Sequence, residues 1–111
     1  MTEITDAHMK EMIGKTRKYC ACILRATDKR SEPGADKIVW EHGRRNFQLR
    51  AEGVLPVVCP IADGTGVSGV GIFVGTVAEV TRIMDDDPGV KAGIFTYELH
   101  ECRGFPGSIL P

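Results

Sequence analysis

Between Gly64 and Gly107 the chain passes through a glycine-broken turn and an apolar alternating segment (Val70, Ile72, Val74). A short helical segment follows, then the acidic step Asp85-Asp86-Asp87-Pro88, a tight Lys91-Ala92-Gly93 run and a last apolar segment. Few folds accept that order. Proline disfavours helical geometry in the residue before it, so Asp87 must stand where one helix ends and a new turn begins. A carboxylate held there is either a helix cap or one half of a catalytic pair.

The first half supplies matching pieces. Tyr19 to Arg25 reads as a buried strand, and Asp28 to Gly34 as a loop. Asp36 to Glu52 reads as a helix stopped by Gly53, a residue suited to a left-handed cap. Ile38, His42 and Leu49 fall on one side of that helix, and Trp40, Phe47 and Ala51 on nearly the opposite side. A surface helix shows one apolar face. Two faces predict that one packs on the sheet while the other meets a cavity or a second subunit. Val54 to Ile61 predicts a second strand, with Pro56 marking an edge. Ala62 to Gly66 turns the chain, and Ser68 to Val74 returns as a third strand. Thr76 caps a helix with Val77, Val80, Ile83 and Met84 at helical spacing. Ile94 to His100 is the fourth strand, and the Gly- and Pro-containing tail from Glu101 to Pro111 is expected to be irregular.

The order β-α-β-β-α-β predicts an α+β, ferredoxin-like protomer, with a four-stranded antiparallel sheet and both helices on one face. The other sheet face carries apolar residues with nothing in the chain to cover them. A homodimer closing sheet to sheet is the simplest solution. Residues 1–18 stand outside this scheme as an N-terminal extension, in which Thr5 or Asp6 caps a short helix carrying Met9, Met12 and Ile13. Residues 19–111 form the domain.

With 111 residues there is one core. The net charge of −1, and no basic stripe interleaved with aromatics, argue against nucleic acid. No apolar run reaches the length of a membrane span, and Met1 to Lys10 lacks the order of a secretory signal, so a cytoplasmic location is expected. Cys20, Cys22, Cys59 and Cys102 form no C-x-x-C pair. In a reducing setting they read as small buried apolar residues, and neither a metal nor a cofactor is expected. One constellation stays open. The topology lays the last strand beside the first, bringing His100 and Cys102 near Cys20 and Cys22, with the face parity undetermined. The glycine-rich stretch Gly64 to Gly71 lacks the Lys-Ser/Thr ending of a phosphate loop and reads as a hairpin.

From Tyr19 to Gly107 the sequence resembles the YCII-related proteins, small dimeric α+β barrel proteins. The resemblance is carried by Glu41-His42, Gly53, Pro60, the Asp63-Gly64 turn and Gly69 and Gly71. Asp86-Asp87-Pro88, Lys91-Ala92-Gly93 and Tyr97-Glu98-Leu99-His100 complete it. It implies a His-Asp active centre, and the matching positions are His42 and Asp87. It also implies chemistry related to the breakdown of chlorinated or hydroxylated aromatics. Two departures stand out. Cys59-Pro60 replaces a common Gly-Pro, and the tail Arg103 to Gly107 runs past the shared core.

Each candidate carries two readings. His42 fills a helix–sheet gap, or it acts as a general base whose pKa range suits the task. Asp87 caps a helix that begins at Pro88, or it also orients the imidazole. Trp40, Arg44 and Tyr97 are candidate substrate contacts, each with a packing or surface reading beside it. The expectation is a cofactor-free lyase or isomerase acting on a small oxidised cyclic or aromatic metabolite. The alternative is a non-catalytic protein that binds a small ligand on the same scaffold.

Overall fold

The computed structural model describes residues 2–111. The elements are α1 (Asp6–Gly14), β1 (Arg17–Ala26), a 3-10 turn (Asp28–Ser31), α2 (Ala35–Ala51), β2 (Val57–Pro60), β3 (Val67–Phe73), α3 (Val77–Asp85), α4 (Pro88–Lys91) and β4 (Phe95–Gly104). The sheet order is β2-β3-β1-β4 with every pairing antiparallel. This is the ferredoxin-like arrangement expected from the element order.

Alternation along β1 decides where the core lies. Cys20, Cys22 and Leu24 point to one face and are buried. They pack with Leu55, Phe73, Ile94 and Phe95, with Val80 and Met84 of α3, and with Ala35 of α2. Ile38, Val39 and Leu49 of α2 pack onto the same cluster, so both long helices cover one sheet face. Each large apolar side chain buried there contributes about 1.5–3 kcal/mol. The helix α3 starts with a reciprocal capping box, in which Thr76 Oγ1 accepts from Glu79 N and the Glu79 carboxylate accepts from Thr76 N.

All four strands shift from their expected bounds. β1 begins two residues earlier, at Arg17, and β3 moves by one residue. The second and fourth differ most. The second is four residues long, because Val54 and Leu55 still belong to the turn that ends α2, and both amides donate to Leu49 O. Pro56, which follows, has no N–H to give a ladder. The fourth strand runs on to Gly104, through residues expected to be irregular. Glu101 to Gly104 find partners in Cys20 back to Arg17, at the leading end of β1. Irregular structure begins only after Gly104.

The helix α1 is capped by Thr5 Oγ1, which accepts from His8 N at 3.1 Å, and it buries none of its residues. On α2, His42 faces inward, while Trp40 and Phe47 are each 71 % exposed. The sheet face turned away from the helices carries Ile23, Val57, Val70 and Ile72, of which Val70 is 40 % exposed and the others only partly buried. His100 and Cys102 lie opposite Ala21 and Tyr19 in the β1–β4 register. They therefore share the outer face, whereas Cys20 and Cys22 point into the core. The register separates the four residues of the Cys/His constellation, and the described residues hold no group of three or more metal-ligating side chains.

Candidate active site

Asp87 owes its place to Pro88. The residue before proline is held extended, at φ −68° and ψ 133°, which stops the preceding helix and aims the Asp87 side chain back at the first turn of α4. Its Oδ2 accepts from Gly89 N at 2.9 Å and from Val90 N at 3.2 Å. The other oxygen is free of the cap, and Oδ1 accepts from His42 Nδ1 at 2.8 Å. His42 reaches it from the inward side of α2. Among the described residues these two are the buried polar side chains, Asp87 1 % exposed and His42 9 %. Each has the other as its partner.

The carboxylate is held below the usual aspartate range. Burial pushes its pKa up, but the His42 hydrogen bond and charge, with the Val90 and Gly89 amides, outweigh that push. An ionised Asp87 accepts only, so the Nδ1 of His42 carries the proton. In the neutral ring the lone pair is then on Nε2. Asn46, one turn further along α2, places its side-chain nitrogen 3.3 Å from Nε2 and donates to it. The Phe95 ring packs on the imidazole with centroids 4.8 Å apart. Arg45 Nη1 lies 3.8 Å from Asp87 Oδ1 and adds positive charge behind the pair.

His42 and Asn46 line a cavity of about 360 Å3 between α2 and the helix-facing side of the sheet. Cys22, Leu24 and Phe73 contribute to its apolar wall. Gly69 and Gly71 stand on the same side of β3 without side chains, which leaves the space open; a Cβ on Gly71 would lie 3.0 Å from Leu55 Cδ1. Cys22 is a neutral thiol there, its pKa pushed to about 11 by burial and by the charges of Cys20 and Asp87. It is therefore a poor nucleophile.

The other sequence candidates lie elsewhere. Tyr97 faces the helices from β4 and donates to Asp85 Oδ1; that bond, then burial, raises its pKa to about 12. It does not line the cavity. Trp40 and Arg44 border a shallow groove on the outer side of α2 with Phe47, and Arg44 Nε donates to Glu41 at 3.1 Å. Groove and cavity share Arg30, Val39 and Gly43 as wall residues. The structure thus joins His42 to Asp87, sets Trp40 and Arg44 beside the cavity, and keeps Tyr97 apart from both. Sequence reasoning missed Asn46, Arg45, Phe95 and Arg30. For Asn46 a signal existed, since it follows His42 by four positions and shares its helix face. The others depend on tertiary approach.

An α+β protein of ferredoxin-like topology, with a helix–sheet cavity bordered by a buried His-Asp pair, is the class these observations define. Eight chains of solved structures match this one. Among them is 5-chloro-2-hydroxyhydroquinone dehydrochlorinase from Burkholderia phenoliruptrix, in complex with 2,5-dihydroxybenzoquinone. The two are 17 % identical with a TM-score of 0.52, over 74 % of this chain and 90 % of that one. The likeness shows the fold. No protein-family model matches the chain, and no curated protein sequence does.

Proposed function

We propose that this protein is a homodimeric, YCII-related enzyme that moves a proton on a small oxidised cyclic or aromatic metabolite, as a lyase or isomerase. The observation that carries the proposal is the 2.8 Å bond between the two buried polar side chains, at the wall of an apolar cavity. Burying an ionisable pair in a core is often no more stabilising than apolar packing, and such pairs concentrate at functional sites.

In this mechanism the substrate displaces the Asn46 N–H from His42 Nε2, which then takes the substrate's proton. Asp87 holds the ring in the required tautomer and stabilises the imidazolium that forms. The same nitrogen then returns the proton to a neighbouring atom or to a departing group. Such proton transfer asks for no cofactor, and a positioned general base contributes about 10²–10⁴-fold in rate. The printed name of the structural neighbour, a dehydrochlorinase seen with a hydroxylated quinone, is in keeping with elimination from an oxidised ring. Trp40 and Arg44 are proposed to meet the part of the substrate that reaches the outer groove. Tyr97 is proposed to act only through its bond to Asp85.

A second reading draws on the cap. The Gly89 and Val90 amides would hold Asp87 in place in a protein that only binds its ligand. NMR titration of the His42 ring in wild type and Asp87→Asn separates the two. In the enzyme reading the ring is coupled to the carboxylate, and the curves of wild type and Asp87→Asn differ. Identical titration curves would leave the binding protein as the better account.

A further inference from the structure

Arg30 stands on the 3-10 turn between β1 and α2, where the cavity meets the outer groove. Among the described residues, the cavity wall carries one permanent charge, Arg30, and no carboxylate. Much of the wall is apolar, and the Cys22 thiol is neutral. The Arg30 side chain is 39 % exposed, so it stands at the mouth with donors open to an incoming anion. Its partner within the chain is Asp36, whose Oδ1 accepts from Arg30 Nη1 at 2.7 Å. That carboxylate is 94 % exposed, and an ion pair so open to water contributes little. It also occupies one donor of a guanidinium that has five, arranged to hold two oxygens side by side. The same charges placed against a drier apolar wall attract more strongly.

We propose that the cavity is selective for the anionic form of a ring compound, with Arg30 holding a carboxylate or an ionised ring oxygen at the mouth and the ring lying on the apolar wall toward His42. The proposal rests on the reading that this cavity is the substrate site, and it names the substrate class. It also gives Arg30 a part distinct from the dyad. Arg30 recognises charge, whereas His42 and Asp87 handle the proton.

The test compares isosteric probes by isothermal titration calorimetry, with His42 ring signals followed by NMR to locate each probe. Benzoate and benzamide differ in charge and hardly in shape. Wild type is expected to bind benzoate about 10–100-fold more tightly, as charge-assisted hydrogen bonds do relative to neutral ones. Arg30→Gln is expected to erase that preference while leaving benzamide affinity within a few-fold. Asp36→Asn, which removes the competing carboxylate, is expected to tighten benzoate binding. para-Nitrophenol, titrated across its own ionisation, supplies the ring-oxygen arm. A preference for its ionised form assigns the anchor to a phenolate-type oxygen, and a preference confined to benzoate assigns it to a carboxylate. Equal affinity for benzoate and benzamide overturns the proposal, as does a preference that survives Arg30→Gln, binding of neither probe, or binding that leaves the His42 signals unmoved. Failure of the dyad is distinguishable, because it appears as His42 signals indifferent to Asp87→Asn while the charge preference persists.

Discussion

Asp87 performs two tasks with two oxygens, one for the α4 amides and one for His42. Two substitutions separate them. Asp87→Asn keeps a good capping side chain but replaces the ionised acceptor by an amide that can face Nδ1 with either end, so the tautomer is no longer imposed. Its expected effect is a loss of turnover on the order of 10²–10⁴-fold with a modest loss of stability, read from kcat and from urea unfolding. Asp87→Ala also removes the cap and strands a buried N–H, with an expected cost of about 2–4 kcal/mol. The pH dependence follows from the lowered carboxylate pKa. A carboxyl whose folded value lies below its unfolded value contributes stability that is fully present above the ordinary aspartate range. That contribution is lost as pH falls through the folded value. Urea midpoints measured from neutral pH into the acid range should therefore fall more steeply for wild type than for Asp87→Asn.

At the scale of elements, the site depends on how α2, α4 and β4 converge, and two glycines show how closely. Gly89, in the first turn of α4, donates to Asp87 and lies against Phe95, whose ring packs on His42. A Cβ there would sit 2.5 Å from Phe95 Cδ2 and 3.1 Å from Asp87 Oδ2. Gly89→Ala is expected to cost about 1–3 kcal/mol through overpacking and to shift the His42 ring signals as Phe95 moves. Gly43 on α2 is the opposite case. Nothing lies within 4 Å of the position its Cβ would take, although it borders both cavity and groove. Gly43→Ala is expected to raise stability by about 1 kcal/mol, seen as a higher urea midpoint. A glycine that costs helix stability and relieves no clash is in keeping with a cavity mouth kept clear.

At the scale of the whole molecule, the sheet has one face covered by helices and one face bearing Ile23, Val57, Val70 and Ile72 without comparable cover. The proposed homodimer closes that face. Val70, on β3 opposite Ile23 and Cys59, is 40 % exposed, so replacing it disturbs little within the protomer. Sedimentation equilibrium should give twice the chain mass for wild type and a shift toward the single chain for Val70→Lys, with the circular dichroism spectrum retained. A wild type that sediments as the single chain would remove the dimer from the proposal. The described residues contain no helix long and apolar enough to cross a membrane.

The order of elements, the caps at Thr76 and Asp87 and the two-sided character of α2 were legible in the sequence, because each rests on local chemistry. Alternation, helical spacing and the backbone restriction before proline act over a few residues, whatever the rest of the chain does. His42 and Asp87 were named through resemblance; spacing alone left each with a packing or capping role. Only the tertiary structure decided that they touch, since 45 positions separate them in the chain and a 2.8 Å contact depends on how two helices settle on one sheet. The β1–β4 register likewise placed His100 and Cys102 on the face away from Cys20 and Cys22, and it carried β4 on to Gly104. Strand partners are chosen by non-local pairing, which can order a segment whose own composition favours disorder. Arg30 and Phe95 reached the cavity for the same reason, brought there by packing between elements distant in sequence.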